Sequence, residues 1–251
     1  MSRSISIQPI NYADIPALAK ISAECFLTDR HTQMKALGKN PYNHEEGTKE
    51  GLANYLVAEK AVPLKAIDNT TGEILGWCGF AFRGFEKDEI PKTAPIDEPL
   101  PGPDVEIIAA NDEGPPTTED DEDDIIKREM EMTDADMKHW MEKLMPPGTK
   151  CMYLIGLNVA PRYQHQGVGQ AMLKWGADVA DKAGVFTWVH SSESAWKTYE
   201  KAGFEVIGCL DIDLDAWAPA PPPAGEGSGA VWGHYVLRYM KRLPQAKQGD
   251  S

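Results

Sequence analysis

Long apolar runs are missing from this sequence. No window of its 251 residues comes near the roughly eighteen uninterrupted apolar side chains that mark a bilayer crossing, so no membrane span is expected. The opening Met1-Ser2-Arg3-Ser4 leads into an alternating segment and not into an apolar core, so no secretory signal is expected either. Cysteine is scarce. Cys25, Cys78, Cys151 and Cys209 stand far apart without a C-x-x-C pair, the pattern of reduced, mostly buried thiols in a cytoplasmic setting. Positive charge is short too: 25 Lys and Arg against 39 Asp and Glu leave a net charge of −14, which argues against sequence-blind nucleic-acid binding. The acid is unevenly placed. Residues 101–140 hold fourteen Asp and Glu against three Lys and Arg, a local balance of −11. Within them the run 119–124 (EDDEDD) lacks the glycine and ligand spacing of a calcium loop, so it reads as solvated charge and no metal is expected.

What the chain does carry is clearest over residues 151–204. Residues 152–159 are an apolar run of strand length, closed by a Pro161-Arg162 turn. Beyond Gln164-His165-Gln166-Gly167-Val168-Gly169, apolar Val168, Met172, Trp175, Val179 and Ala183 recur at helical spacing. The glycines therefore sit where a strand hands over to a helix. A helix N-terminus offers unpaired N–H groups and partial positive charge, and residues without a Cβ let a phosphate reach them. A P-loop would need Lys-Ser/Thr after the second glycine, where Gln170-Ala171 stands. A dinucleotide fingerprint would need a small residue at Met172 and an acid near Trp188-Val189-His190. The spacing that remains is Q-x-x-G-x-G.

With these residues the chain resembles the GNAT superfamily of acyl-CoA N-acyltransferases, whose pyrophosphate motif is [Q/R]-x-x-G-x-[G/A] after a strand. The resemblance continues through a short strand at 185–190 to Tyr199-Glu200-Lys201-Ala202-Gly203-Phe204, which is similar to the family's second cofactor motif, a helix ending in Tyr-x-x-x-Gly-Phe. It implies an α/β fold: a mixed, mostly antiparallel sheet flanked by helices, whose central strands 152–159 and 185–190 splay apart. It also implies acetyl-CoA as cofactor. The diphosphate falls to the turn Gln164, His165, Gln166, Gly167, Val168, Gly169 and Gln170, and the amides of the pantetheine arm fall to the strand edge at Leu157, Asn158 and Val159. Ser192 takes the place of a small polar residue near the cofactor. Tyr199 takes that of the family tyrosine that protonates the departing thiolate; an unperturbed phenol, with a pKa of about 10, keeps its proton at neutral pH. The acceptor is a small-molecule or peptide primary amine, with a cationic one drawn by the acidic insertion. His190, Glu193, Tyr153 and the region 29–44 are all open as the base. A non-catalytic acyl-CoA-binding or regulatory protein of the same fold is the alternative reading.

The remaining residues fill in one domain over 1–243, with an acidic insertion at 84–147, a Pro-rich loop at 216–230 and a polar tail at 244–251. Strands are expected at 4–9, 64–68, 74–82, 205–214 and 231–240. One helix should open at Asp14, with Pro16 in its first turn. Another should open at Thr133-Asp134-Ala135-Asp136, a capping-box signature, and stop at Pro146. Residues 26–51 show no clear period.

Overall fold

Two antiparallel blocks form the sheet in the computed structural model of the protein, which describes residues 3–93, 95–98, 124–227 and 229–246. The first block is β1 (Ile5–Pro9), β2 (Ala61–Asp68), β3 (Ile74–Arg83) and β4 (Cys151–Val159), each paired to the next. The second is β5 (Thr187–Ser191), β6 (Glu205–Asp213) and β7 (His234–Arg242), with β7 in the middle. A parallel contact between β4 and β5 joins them, giving the order β1-β2-β3-β4-β5-β7-β6. The mixed α/β sheet flanked by helices is the architecture expected above.

Alternation on β3 separates the two helical layers. Phe80 is buried against Gly176 of α5 (Val168–Ala183), where an added Cβ would lie 2.3 Å from the ring. Trp77, three residues away and so on the opposite face, donates its indole N–H to Ser22 of α1 (Ile15–Phe26) at 2.8 Å. The α5 face buries Met152, Leu154, Met172, Val189 and Met240 in one core. On the α1 face, α4 (Ile125–Leu144) lays Trp140 flat on Tyr239, with ring centroids 4.6 Å apart, and Tyr239 stacks in turn on His190 at 4.6 Å. Burying each such ring contributes about 1.5–3 kcal/mol.

Asp14 heads α1 as expected, although its carboxylate accepts from the Asn11 N–H and pairs with Lys65 and does not cap the helix. Region 26–51, without a clear period in sequence, holds α2 (Arg30–Lys35) and the start of α3 (His44–Val57), of whose residues only Leu52 is buried, so no apolar stripe betrays the helix. One expectation needs correction: α4 does not begin at Thr133. Asp124 caps it nine residues earlier by accepting from the Ile126 N–H at 3.0 Å, and the Thr133 hydroxyl bonds back to the Met130 carbonyl. The acidic residues 119–123, with residue 94 and residues 99–118 of the insertion, lie outside the described residues. After β6, the short α7 (Leu214–Trp217) opens the Pro-rich loop, which is tied down where Trp232 donates to the Ala220 carbonyl and Asp215 accepts from Trp232 and Gly233. Among the described residues no helix is long and apolar enough to cross a membrane.

Candidate functional site

β4 and β5 stay together for two registered pairs only, Met152 with Thr187 and Tyr153 with Trp188. Just beyond, Ile155 is an extra residue on β4, unmatched where Gly79 pairs Gly156 and Phe80 pairs Leu154. A bulge of this kind bends its strand, and it falls just past the last registered β4–β5 pair. The gap opens into a cleft of about 300 Å³. From the α5 side it is walled by Gln164, His165, Gly167, Gly169 and Gln170, together with Thr198 and Lys201 of α6 (Trp196–Lys201). Leu157, Asn158 and Val159 of β4 and Ser192 after β5 form the edges. Cys25, Phe26 and Asp29, from the α1 side, close it. The cleft thus runs through the sheet from one helical layer to the other.

Nine of the sequence-expected site residues line this cleft. The turn that carries five of them is built for open main chain. Gly167 is the N-cap residue of α5 with φ +84°, a left-handed value that suits glycine, and nothing lies within 4 Å of the position its Cβ would take. His165 also has positive φ, +60°. Among the described residues the N–H groups of Gln166, Gly167, Val168, Gly169 and Gln170 find no protein acceptor, and the first bond across the turn runs from the Ala171 N–H to the Gly167 carbonyl at 3.0 Å. Side chains brace the turn from behind: Gln164 donates to the Val159 carbonyl, Gln166 to the Arg162 carbonyl, and Gln170 to the Thr198 carbonyl at 2.7 Å. Gln166 and Val168 are not part of the cleft wall; Val168 is buried in the α5 core.

Tyr199 lies elsewhere than an exposed acid would. It is 4 % exposed, packs edge-on against Phe204 and does not line the cleft. Burial pushes its pKa well up, and its hydroxyl has no hydrogen-bond partner among the described residues. The strand edge is not wholly free either. The Val159 carbonyl already accepts from the Cys25 thiol at 3.1 Å and from Gln164 at 3.1 Å, which leaves Leu157 and Asn158 as the open part. Burial raises the Cys25 pKa to about 11, so it is a thiol at neutral pH.

Of the candidate bases, His190 is stacked behind Tyr239 with its Nε2 buried and without a partner among the described residues, and burial pulls its pKa down to about 4. Tyr153 stacks on Trp188 at 5.5 Å. Neither lines the cleft. Glu193 does not line it either; its N–H donates to the Tyr235 hydroxyl at 3.4 Å. Sequence reasoning left Cys25, Phe26 and Thr198 unassigned, because tertiary packing alone brings them here; Asp29 fell in the region 29–44 left open for the base and Lys201 in the second cofactor motif, neither with a role of its own. A wider groove of about 650 Å³, between Phe82, Met141, Met145 and Tyr153, lies at the other end of β4 and holds no residue of the glycine turn.

Residues 135–204 match the model of the acetyltransferase (GNAT) family, the family that the glycine turn and the Tyr199–Phe204 segment resemble. No curated protein matches the chain in sequence. Among solved structures, the chain is similar to a GCN5-related N-acetyltransferase from Kribbella flavida, at 16 % identity and TM-score 0.49, over 95 % of this chain and 97 % of that one. It is also similar to a histone acetyltransferase HPA2 and related acetyltransferase from Corynebacterium glutamicum, at 15 % identity and TM-score 0.49, over 99 % and 100 %. A third is PaiA N-acetyltransferase from Thermoplasma acidophilum in complex with coenzyme A, at 14 % identity and TM-score 0.45, over 96 % and 99 %. At this identity and overlap these likenesses bear on neither substrate nor partner.

Proposed function

We propose that the protein is an acetyl-CoA-dependent N-acetyltransferase that moves the acetyl group to a primary amine by direct attack in a ternary complex, in the cytoplasm. The observation that carries this reading is the row of unpartnered N–H groups from Gln166 to Gln170, set at the mouth of a cleft that passes between β4 and β5. Five donors at a helix start fit a diphosphate, and no Cβ intrudes at Gly167 or Gly169. Lys201, the one cationic side chain among the described cleft residues, adds positive charge at that end. The pantetheine arm would run along Leu157 and Asn158 in the gap, past Ser192, and bring the thioester to the α1 side.

Bound acetyl-CoA supplies an activated acyl group on a moderate leaving group. The chain's own residues then hold the reactants in register and keep water out, which can account for about 7–11 kcal/mol of a barrier. In this reading Tyr199 waits as a phenol, kept protonated by burial, to donate to the departing sulfur. Its absence from the cleft wall is what favours the second reading, a binding or regulatory protein without transfer.

Calorimetry with coenzyme A, and thiol release from acetyl-CoA over polyamine, aminoglycoside, arylamine and peptide acceptors, separate the two. Binding with thiol release supports the enzyme. Binding without release against every acceptor supports the second reading, and no binding at all removes both.

A further inference from the structure

The cleft is electrically polarised along its length. Among its described wall residues Lys201 is the one cation and Asp29 the one carboxylate. Lys201 stands at the glycine-turn end, where it shares a neighbouring hollow with Gln170 and Lys174. Asp29 stands at the far end, on the α1 and α2 layer. Its Oδ1 accepts from the Thr32 N–H at 2.8 Å as the cap of α2, and its Oδ2 accepts from the Tyr235 hydroxyl at 2.7 Å. The same hydroxyl accepts from the Glu193 N–H, so Asp29 is moored beside the end of β5. Behind it the Tyr235 ring packs on His31 at 5.0 Å, and His31 is fastened to the fully buried Glu129 at 2.7 Å. A carboxylate set this firmly at the open end of a cleft does not swing away when a ligand arrives. Each of its oxygens has one bond and room for another.

We infer that Asp29 is the residue that recognises the acceptor, receiving the ammonium of a cationic primary amine on Oδ2 beside the Tyr235 hydroxyl; the ammonium gives up one proton to solvent before its nitrogen attacks the thioester. The inference rests on the acetyltransferase reading and adds to it an acceptor that arrives charged, from the layer opposite the cofactor. Donor and acceptor then meet within the sheet and do not compete for one entrance. A cap role alone would explain the Thr32 bond, but neither the Tyr235 bond nor the carboxylate's place in the cleft wall.

Asp29→Asn separates the two roles, since asparagine caps a helix as well as aspartate does but carries no charge. The full chain, loaded with coenzyme A, is titrated calorimetrically with spermidine, n-butylamine and a lysine-containing tripeptide, with n-butanol as the uncharged control. The expected result is binding of at least one amine, weakened about tenfold or more in Asp29→Asn, with melting temperature and coenzyme A affinity unchanged. Equal binding in the variant overturns the inference, as does equal binding of butanol or no amine binding to the loaded wild type. Amine binding lost in Asp29→Asn, with no thiol released from acetyl-CoA in the wild type, leaves Asp29 as the ammonium site and removes only the transfer reading. If coenzyme A itself does not bind, the same titrations on the unloaded chain decide Asp29 by the same comparison.

Discussion

Gly167 and Gly169 sit two residues apart, and substituting them should fail in opposite ways. A Cβ on Gly169 would lie 3.5 Å from Thr198 Cγ2, 3.8 Å from Val159 Cγ2 and 3.9 Å from Leu157 Cδ2, all ordinary contacts with residues of the cleft wall. The unliganded fold therefore accepts a side chain there. The extra methyl groups of Gly169→Val have only the cleft to occupy. Lifting a diphosphate off one charge-assisted N–H bond costs about 1.5–3 kcal/mol, which weakens binding by about tenfold to 150-fold. Gly167→Ala meets nothing within 4 Å but must hold φ +84°. That strain costs about 1–2 kcal/mol, and each kcal/mol lowers the melting temperature by about 2–4 °C in a chain of this size. Calorimetry with coenzyme A and thermal melts of both variants give the comparison. Gly169→Val should bind poorly and melt like the wild type; Gly167→Ala should melt early. If Gly169→Val binds coenzyme A as the wild type does, the diphosphate does not sit on this turn and the argument for the cofactor fails.

Tyr199→Phe removes a hydroxyl with no protein partner, so its melting temperature should hold within about a degree while kcat falls about a hundredfold at constant coenzyme A affinity; unchanged kcat retires Tyr199 as the acid. His190 should make the fold acid-sensitive. Its folded pKa, about 4, lies below the ordinary 6.5, so the neutral form is favoured in the fold. That contribution, on the order of 3 kcal/mol, is complete above pH 6.5 and lost as pH falls towards 4. Denaturant melts of His190→Gln should show a flatter pH profile, and an identical slope would refute this. Gly176→Ala places a Cβ 2.3 Å from the buried Phe80 ring and should destabilise by about 1–3 kcal/mol, with Phe80→Leu restoring part of the loss; a more stable single variant would contradict the tight approach of α5 to β3.

The glycine turn was legible because backbone conformation and ligand chemistry both constrain residue type locally: a φ of +84° and an open N–H row demand glycine at fixed spacing. β3 was legible because burial on both faces leaves a continuous apolar run. α3 was not, since a helix that buries little more than Leu52 needs no stripe. The start of α4 was misread because Thr-x-x-Asp resembles a cap in any context, and only packing decides that Asp124 does the capping instead. Asp29 was legible only as one residue of the open region 29–44, for a related reason: its position depends on Tyr235, more than two hundred residues away in the chain.

The two-rung join between β4 and β5 has a mechanical consequence. The sheet is bound like a book, fastened along one short margin by Met152, Tyr153, Thr187 and Trp188 and free along the other. How wide the pages stand is set at that margin, where Tyr153 lies on Trp188 and α4 presses Trp140 against Tyr239. A side chain changed there, far from the glycine turn, alters the width of the opening without touching anything that a ligand would meet.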